Sequence, residues 1–376
     1  MAHKKLSILM AGGGTGGHLM PGIALSDALH EISPDIRITF LVPGKPVDIQ
    51  ILSKTHFEFF VNPMRSVPSS WEERKLFVKN FLAGWFETIR VFRLCRPGIV
   101  VGLGGYGSLS AGWLASLYGR PLVMLESNQR AGKVVRWLSR KCHTIYAPGL
   151  VEGLSCSRIK AFGIPLRKGL PVNKKMGFPK SQLTVLVMGG SQGARCVNQG
   201  MERALPSLEP MANRIKFIHL CGSDCEKMSE AYRKSRFNAE VFPFSHNMDE
   251  LYEKSDLVIG RAGGSTISEI TAVGLPSIMI PFERAAENHQ VLNAQALEQA
   301  GAASIVRESE LFGETLSHKI RELIDNQHLL EKMASAARSA GNPNASYEIA
   351  WDILGILNGT SATTKTFQSL KGIKYA

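Results

Sequence analysis

The sequence lacks the features of several protein classes. Its six cysteines show no paired zinc spacing, because Cys221-x-x-x-Cys225 has no second ligand pair of matching type. Reduced thiols are therefore the expected state. The N-terminus passes through a short strand into glycines instead of a sustained apolar segment, so no secretory signal is expected.

One long stretch lacks charge but also lacks the uniform apolar character of a membrane span. Residues 97–119 contain no charged residue over 23 positions, yet they include seven glycines and three serines. A strand, a glycine loop and a helix of small residues account for this stretch better than a transmembrane helix does.

Length and charge indicate two soluble domains, one of them basic. At 376 residues the chain is long for a single core. Residues 1–165 hold 20 Lys and Arg against 10 Asp and Glu, whereas residues 166–376 hold 24 against 22. The first half is therefore expected to meet an anionic partner. Its basic residues lie among aliphatic and aromatic residues without a nucleic-acid-binding motif, so no nucleic acid is predicted.

The same local pattern occurs twice: an apolar strand, a glycine-rich turn and a helix. Residues 6–11 lead into the glycines of 12–17, and residues 184–188 lead into 189–193. Glycine lets backbone N–H groups approach an anion, and the following helix presents its positive end. Two such loops predict two Rossmann-like halves.

The first loop also matches the dinucleotide fingerprint through Gly12, Gly14 and Gly17. The next strand, however, ends in Pro43-Gly44 instead of the acidic residue that would hold a ribose hydroxyl. NAD is therefore disfavoured.

Strand runs alternate with helical patterns in both halves, which predicts α/β domains with doubly wound parallel sheets facing across a cleft. The segment 165–179 is rich in Pro, Gly and Lys and is the best linker candidate. The predicted domains are 1–164 and 165–344, with a helix at 345–358 packing back on the first. Residues 359–376 are expected to form a mobile tail.

Several motifs occur in a fixed order. They are Gly12-Gly13-Gly14-Thr15-Gly16-Gly17-His18, Gly102-Leu103-Gly104-Gly105-Tyr106, Glu126-Ser127-Asn128, Gly189-Gly190-Ser191-Gln192-Gly193-Ala194, Arg261-Ala262-Gly263-Gly264-Ser265-Thr266-Ile267-Ser268-Glu269 and His289-Gln290. With these motifs the chain resembles the MurG family of glycosyltransferase family 28, from about residue 6 to residue 358. The resemblance implies a GT-B fold.

The resemblance also implies an activity: inverting transfer of GlcNAc from UDP-GlcNAc to the C4 hydroxyl of lipid I, the undecaprenyl diphosphate-linked MurNAc-pentapeptide, giving lipid II. It implies a peripheral enzyme of peptidoglycan synthesis on the cytoplasmic face of the cell membrane. Cell-wall and division proteins are the implied protein partners. The sequence shows no carboxylate cluster for magnesium, so neither a metal nor a cofactor is predicted.

Candidate donor-site residues lie in the second half. Ser191 occupies a glycine loop at a helix start, and Arg167 can add charge-assisted hydrogen bonds to a diphosphate. The carboxylate of Glu269 suits a ribose diol, although it could instead stabilise a helix N-terminus. By resemblance, the backbone near Met248 reads uracil, and the remaining donor contacts come from Gln192, Ser265, Thr266, His289 and Gln290.

Two residues of the first half are candidates for the catalytic base. His18 ends the first glycine loop, and histidine is the side chain that most often serves as a general base, although His18 could merely bind backbone or an acceptor phosphate. Glu126 is the competing base, and it could instead be a strand-end carboxylate paired with an arginine. Asn128 is expected to orient acceptor hydroxyls, and Thr15, Gly16 and Gly17 to line the acceptor site.

Two positions depart from the family pattern. Leu125 stands where many relatives have a histidine, and Ile164 stands where the family has an asparagine before proline. Both changes remove a polar group, so acceptor geometry or rate is expected to differ.

An aromatic, basic stretch suits docking on an anionic membrane. The predicted membrane-facing residues are Leu76, Lys79, Phe81, Leu82 and Trp85. The alternative is a helix that buries its apolar face in the core and leaves its basic side solvated.

Other functions compatible with the same fold are a transferase with a different acceptor, such as diacylglycerol, and a UDP-GlcNAc 2-epimerase. A non-catalytic scaffold that binds nucleotide sugar and docks on cell-wall enzymes belongs to a different class. His18 and Glu126 argue against it.

Overall fold

The computed structural model describes residues 6–64, 72–190, 195–284 and 288–359. The chain divides into two compact units. The first unit comprises Met1–Ser127, Ala131–Arg167 and Asn344–Ala376, and the second comprises Asn128–Arg130 and Lys168–Pro343. Of the tail expected at 359–376, all but its first residue lies outside the described part of the chain.

The first unit is built on a parallel sheet of seven strands. The strands are β1 (Ser7–Ala11), β2 (Arg37–Val42), β3 (Glu58–Val61), β4 (Ile99–Gly102), β5 (Leu122–Leu125), β6 (Thr144–Tyr146) and β7 (Ile159–Lys160). Their order is β3-β2-β1-β4-β5-β6-β7. The chain reverses its direction of travel across the sheet between β1 and β4. In open α/β sheets ligands bind beyond the carboxyl ends of the strands at such a point.

Helices connect these strands. They are α1 (Gly16–Ile32), α2 (Pro46–Leu52), α3 (Glu72–Cys95), α4 (Leu109–Leu117) and α5 (Lys133–Leu138). The uncharged stretch 97–119 forms β4, a glycine loop and α4, as predicted. Across the part of the chain that the model describes, no helix is both long and apolar enough to cross a membrane.

The second unit repeats the design with six parallel strands. They are β8 (Leu183–Met188), β9 (Ile215–Leu220), β10 (Asn238–Phe242), β11 (Leu257–Gly260), β12 (Ser277–Met279) and β13 (Ala303–Ile305), in the order β10-β9-β8-β11-β12-β13. The direction reverses between β8 and β11. The helices are α6 (Arg195–Leu208), α7 (Cys225–Lys234), α8 (Met248–Lys254), α9 (Gly264–Val273), α10 (His289–Gln299), α11 (Thr315–Asp325) and α12 (Gln327–Ala340).

The last helix, α13 (Ala345–Leu357), belongs to the first unit. Ile349 and Ile353 are fully buried in the same apolar cluster as Ile8 of β1. Asp352, also buried, accepts a 2.7 Å hydrogen bond from the Tyr146 hydroxyl and lies 2.7 Å from Lys160 Nζ. Apolar packing and a buried carboxylate therefore hold this helix to the first sheet.

Candidate active site

The loops after β1 and β4 cross at the reversal point of the first sheet. Gly12 has φ +127°, and a Cβ there would lie 2.5 Å from the carbonyl oxygen of Gly104. Only glycine fits a backbone that is both left-handed and this close to another chain segment. The close approach of the two loops therefore requires glycine at position 12 of the first glycine motif.

Asp48 holds the backbone of the first glycine loop in place. Its side chain is fully buried; Oδ1 accepts a 2.7 Å hydrogen bond from Gly14 N, and Oδ2 accepts one of 3.1 Å from Lys45 N. A buried carboxylate that accepts backbone N–H groups fixes their positions. Asp48 was not predicted from the sequence, because nothing in its local sequence distinguishes it from a surface residue of a short helix.

His18 stands at this crossing. It is the third residue of α1, is half-buried, and has Nδ1 3.2 Å from Thr15 Oγ1. A Cβ on Gly104 would lie 3.3 Å from His18 Nε2, so the imidazole lies against the loop after β4. Thr15 is exposed, and Gly16 and Gly17 begin α1. The structure thus groups His18, Thr15 and the two glycines at the reversal point.

Glu126 follows β5 and is 5% exposed. Its Oε2 accepts a 2.9 Å hydrogen bond from Gly132 N at the start of α5. Neighbouring Leu125 and the distant Ile164 are 5% and 2% exposed, so both departures from the family pattern place apolar side chains in the interior. Glu126 is thus a backbone-bonded, buried carboxylate, whereas His18 is more accessible to an acceptor.

The glycine-rich turn of the second unit follows β8, and Gly190 in it has φ +87°. Ser191 and Gln192 lie outside the described residues. Arg167, predicted to contact the diphosphate, is half-buried and is the final residue of the segment that belongs to the first unit.

The neighbouring helices α8 and α9 position a buried carboxylate. Glu269 is 8% exposed, and its Oε2 accepts a 2.9 Å hydrogen bond from the hydroxyl of Tyr252. It is the sixth residue of α9, beyond the first turn, where a charge gains little from the helix dipole. Ser265 and Thr266 lie in that first turn and are half-buried. Met248 begins α8 and is largely buried.

The side chain of Arg261 contacts three separate segments of the second unit. Its Nη2 lies 2.6 Å from both Glu308 Oε1 and Cys196 Sγ, and its Nη1 donates to Ile280 O at 3.1 Å. The guanidinium also stacks over Phe282. Burial alone would raise the pKa of Glu308, but hydrogen bonds from Arg261 and Cys196 outweigh it and hold the pKa below its ordinary value. The motif containing Arg261 was noted from the sequence, but this role was not.

The start of α10 carries the predicted donor-sugar contacts. His289 is its first residue and is half-buried, and Gln290 Oε1 accepts a 3.0 Å hydrogen bond from Phe282 N. One turn further, Asn293 Nδ2 donates at 3.0 Å to Oδ1 of Asn128, which lies in the short segment assigned to the second unit. Asn128, which was predicted to orient the hydroxyls of the acceptor substrate, is therefore held by α10 of the second unit.

The apolar residues that α3 exposes differ in part from those predicted from the sequence. Leu82 and Lys79 are exposed, but Phe81 is only half-buried, and half-buried Trp85 packs against the core. The side chain of Leu76 lies outside the described residues. Instead Val78 and Phe86, each four positions from Leu82, are 53% and 71% exposed and complete a stripe on one helix face.

Two parallel-sheet units, each with a glycine-rich turn at its reversal point, match the GT-B fold. The glycosyltransferase family 28 N-terminal domain matches residues 8–147, and the family 28 C-terminal domain matches residues 184–349. The chain belongs to the MurG family within glycosyltransferase family 28. The predicted fold class and family are thereby confirmed.

Individual relatives agree with this assignment. The chain is 35% identical over 354 residues to the "UDP-N-acetylglucosamine--N-acetylmuramyl-(pentapeptide) pyrophosphoryl-undecaprenol N-acetylglucosamine transferase" of Thermodesulfovibrio yellowstonii, covering 92% of this chain and 97% of that one. The crystal structure of Acinetobacter baumannii MurG is similar with a TM-score of 0.76 and 25% identity, covering 93% and 99%. A Listeria monocytogenes UDP-N-acetylglucosamine 2-epimerase structure, at 16% identity and a TM-score of 0.67, shares the fold.

Proposed function

We propose that the protein transfers GlcNAc from UDP-GlcNAc to the C4 hydroxyl of the MurNAc sugar of lipid I, with inversion, to give lipid II. The observation that carries this proposal is 35% identity over 92% of the chain to a transferase named for that reaction. The geometry is compatible with it: one unit carries the half-buried His18 at its glycine loop, and the other carries the buried carboxylate of Glu269 on the helix that follows β11.

The donor nucleotide is bound by the second unit and Arg167. The diphosphate lies at the glycine loop after β8, where Ser191 and Gln192 supply donors and Arg167 supplies charge. The ribose diol donates to Glu269, which Tyr252 holds in place. The backbone at Met248 reads uracil, and the start of α9 and of α10 contributes the remaining contacts through Ser265, Thr266, His289 and Gln290.

His18 acts as the base. As the C4 oxygen of MurNAc attacks the anomeric carbon, the imidazole takes its proton, and the bond between that carbon and the UDP oxygen breaks on the opposite face. Attack from behind converts the α-linked donor into a β-linked product. Glu126 is the competing base, but its Oε2 already accepts the Gly132 N–H. Asn128 and the Thr15–Gly17 turn orient the acceptor.

The first unit docks on the anionic, cytoplasmic face of the cell membrane, where lipid I resides. The stripe of Val78, Leu82 and Phe86 would enter the interface, with Lys79 beside it. Trp113 is also exposed, and Lys141 Nζ lies 4.1 Å from its ring centroid, which joins a cation to an aromatic face. Docking would bring the enzyme to its polyprenyl-linked acceptor. It would also place the enzyme among cell-wall and division proteins.

Release of UDP from UDP-GlcNAc, measured with different acceptors, tests the activity. We expect release and a disaccharide product only with a lipid I analogue. A glycosylated diacylglycerol would instead identify a different acceptor, and conversion of the donor without any acceptor would identify an epimerase. Tight UDP-GlcNAc binding with no turnover on any acceptor would favour a scaffold.

A further inference from the structure

The second unit contains a pair of thiols that the transfer reaction does not use. Cys221 directly follows β9, and Cys225 is the first residue of α7, separated from it by a single turn of 3₁₀ helix. Their Sγ atoms lie 2.6 Å apart. The S–S bond of a disulfide is about 2.05 Å long, so the two sulfur atoms lie within about half an ångström of bonding distance.

The backbone already holds this turn in place. Cys221 N donates to Phe242 O at 3.0 Å, and Gly222 N donates to Pro243 O at 3.1 Å, which ties the turn to the end of β10. Gly222 has φ +66°, so the tight reversal uses a conformation that favours glycine. The geometry that brings the two sulfur atoms together is therefore built into the fold.

The two thiols differ in access. Cys221 is 2% exposed within the apolar core, and burial together with the adjacent Cys225 thiol raises its pKa above the ordinary value. Cys225 is half-buried at the start of α7. An oxidant from solvent therefore reaches Cys225 first, and Cys221 is the neighbour that can resolve the oxidised sulfur.

We propose that Cys221 and Cys225 are a hydroperoxide-reactive pair that forms a reversible disulfide. The sulfur of Cys225 attacks the peroxide, an S–O bond forms as the O–O bond breaks, and water or an alcohol leaves. Cys221 then attacks the resulting sulfenic acid, forming the S–S bond and releasing water. Two thiols lose two electrons and two protons, and the hydroperoxide is reduced. A dithiol reverses the change.

The turn also carries contacts to the helix that follows the donor glycine loop. Asn198 of α6 donates from Nδ2 to Cys221 O and to Asp224 Oδ2, each at 2.9 Å. Its Oδ1 lies 3.1 Å from Nε2 of His219 on β9. Because the two sulfur atoms already lie close together, we expect these contacts to be kept when the disulfide forms. The oxidised protein should therefore keep its affinity for UDP.

Peptide mass spectrometry of the intact chain tests the proposal without depending on the transferase activity. Trypsin cleavage after Lys216 and Lys227 yields one peptide that contains both cysteines. After stoichiometric hydrogen peroxide, we expect this peptide to lose two hydrogen atoms and to regain them with dithiothreitol. A peptide that gains oxygen instead, or remains unchanged, would overturn the proposal.

Variants assign the two roles. In Cys221→Ser we expect the peptide to gain oxygen at Cys225, with the sulfenic acid trapped by dimedone. In Cys225→Ser the buried Cys221 should stay unmodified at the same dose. Cys142→Ser, which removes a buried thiol of the first unit, is the matched control and should still form the disulfide. If the remaining cysteine still formed a disulfide in both Cys221→Ser and Cys225→Ser, the proposed pairing would be contradicted. Loss of UDP binding by the oxidised wild type would also contradict the proposal.

Discussion

Tyr252 donates a 2.9 Å hydrogen bond to Oε2 of Glu269, and both side chains are buried. Tyr252→Phe keeps the ring but removes the donor that orients the carboxylate. Hydrogen bonds to charged groups contribute about 1.5–3 kcal/mol. We therefore expect the Kd for UDP to rise about tenfold, measured by calorimetric titration.

Tyr232→Phe is the matched control for this change. Tyr232 is equally buried in the second unit, but its hydroxyl lies 3.0 Å from His219 Nδ1. It should lower stability without changing UDP affinity. An unchanged Kd in Tyr252→Phe would remove the support for Glu269 as the ribose ligand.

Removing the imidazole of His18 tests the assignment of the base. We expect His18→Ala to lower kcat by about 10²–10⁴, the usual contribution of a general base, and to leave UDP binding intact. The pH–rate profile should also lose the limb that the base produces. If that limb persists in His18→Ala but disappears in Glu126→Gln, the base is Glu126.

Replacing the buried carboxylate of Asp48 should affect use of the acceptor substrate and leave binding of the nucleotide unchanged. Asp48→Ala leaves the buried N–H of Gly14 without its acceptor, at a cost of about 1–3 kcal/mol, and also removes the acceptor of the N–H of Lys45, an exposed residue. We expect kcat/KM for the lipid I analogue to fall at least about tenfold while the Kd for UDP stays constant. Asp35→Ala, at an exposed position of the same unit, should be neutral. Equal effects of both variants would contradict a role for the loop.

Membrane docking rests on the exposed stripe of α3. Burying a large apolar side chain in an interface contributes about 1.5–3 kcal/mol, so Leu82→Glu or Phe86→Glu should each weaken binding to anionic vesicles about tenfold or more. Sedimentation with vesicles measures this. Phe244→Glu, at a residue of the second unit that is also 53% exposed, should bind like the wild type. Equal loss in all three variants would rule out a specific face.

His219 makes the second unit sensitive to acid. Burial lowers its pKa from 6.5 to about 4. Between these values the unfolded chain binds a proton that the folded unit excludes, so stability falls as the pH drops from 6.5 towards 4. A pKa difference of this size corresponds to about 3 kcal/mol.

Calorimetric unfolding at pH 7 and pH 4.5 measures this loss. His219→Gln, which has no titrating ring, should lose less stability than the wild type over that range. His246→Gln replaces an exposed histidine of the same unit and should behave like the wild type. A parallel decline in all three proteins would show that His219 is not responsible.

The strands that the sequence predicted are the buried, central ones. Residues 6–11 and 184–188 are largely apolar runs that predict strands, and the structure has β1 and β8 there. Strands β3, β6, β7, β10 and β13 were not predicted, because each is either very short or only partly buried and its sequence lacks such a run.

The site was predictable where glycine constrains the backbone and less so where distant residues support it. His18 and Glu269 lie within glycine motifs whose spacing can be recognised. Asp48 and Tyr252 act through contacts across 34 and 17 positions of the chain, and only the fold brings them together with their partners. For α3, helical periodicity predicted an amphipathic helix but not which of its aromatic residues face the core.

The anomeric configuration and linkage of the product test the central claim most directly. Nuclear magnetic resonance of the disaccharide formed from UDP-GlcNAc and a lipid I analogue gives both. We predict a β-linked GlcNAc on the C4 oxygen of MurNAc, because attack opposite the departing UDP inverts the α-linked donor. An α-linked product, or GlcNAc on any other oxygen, would contradict the proposed reaction.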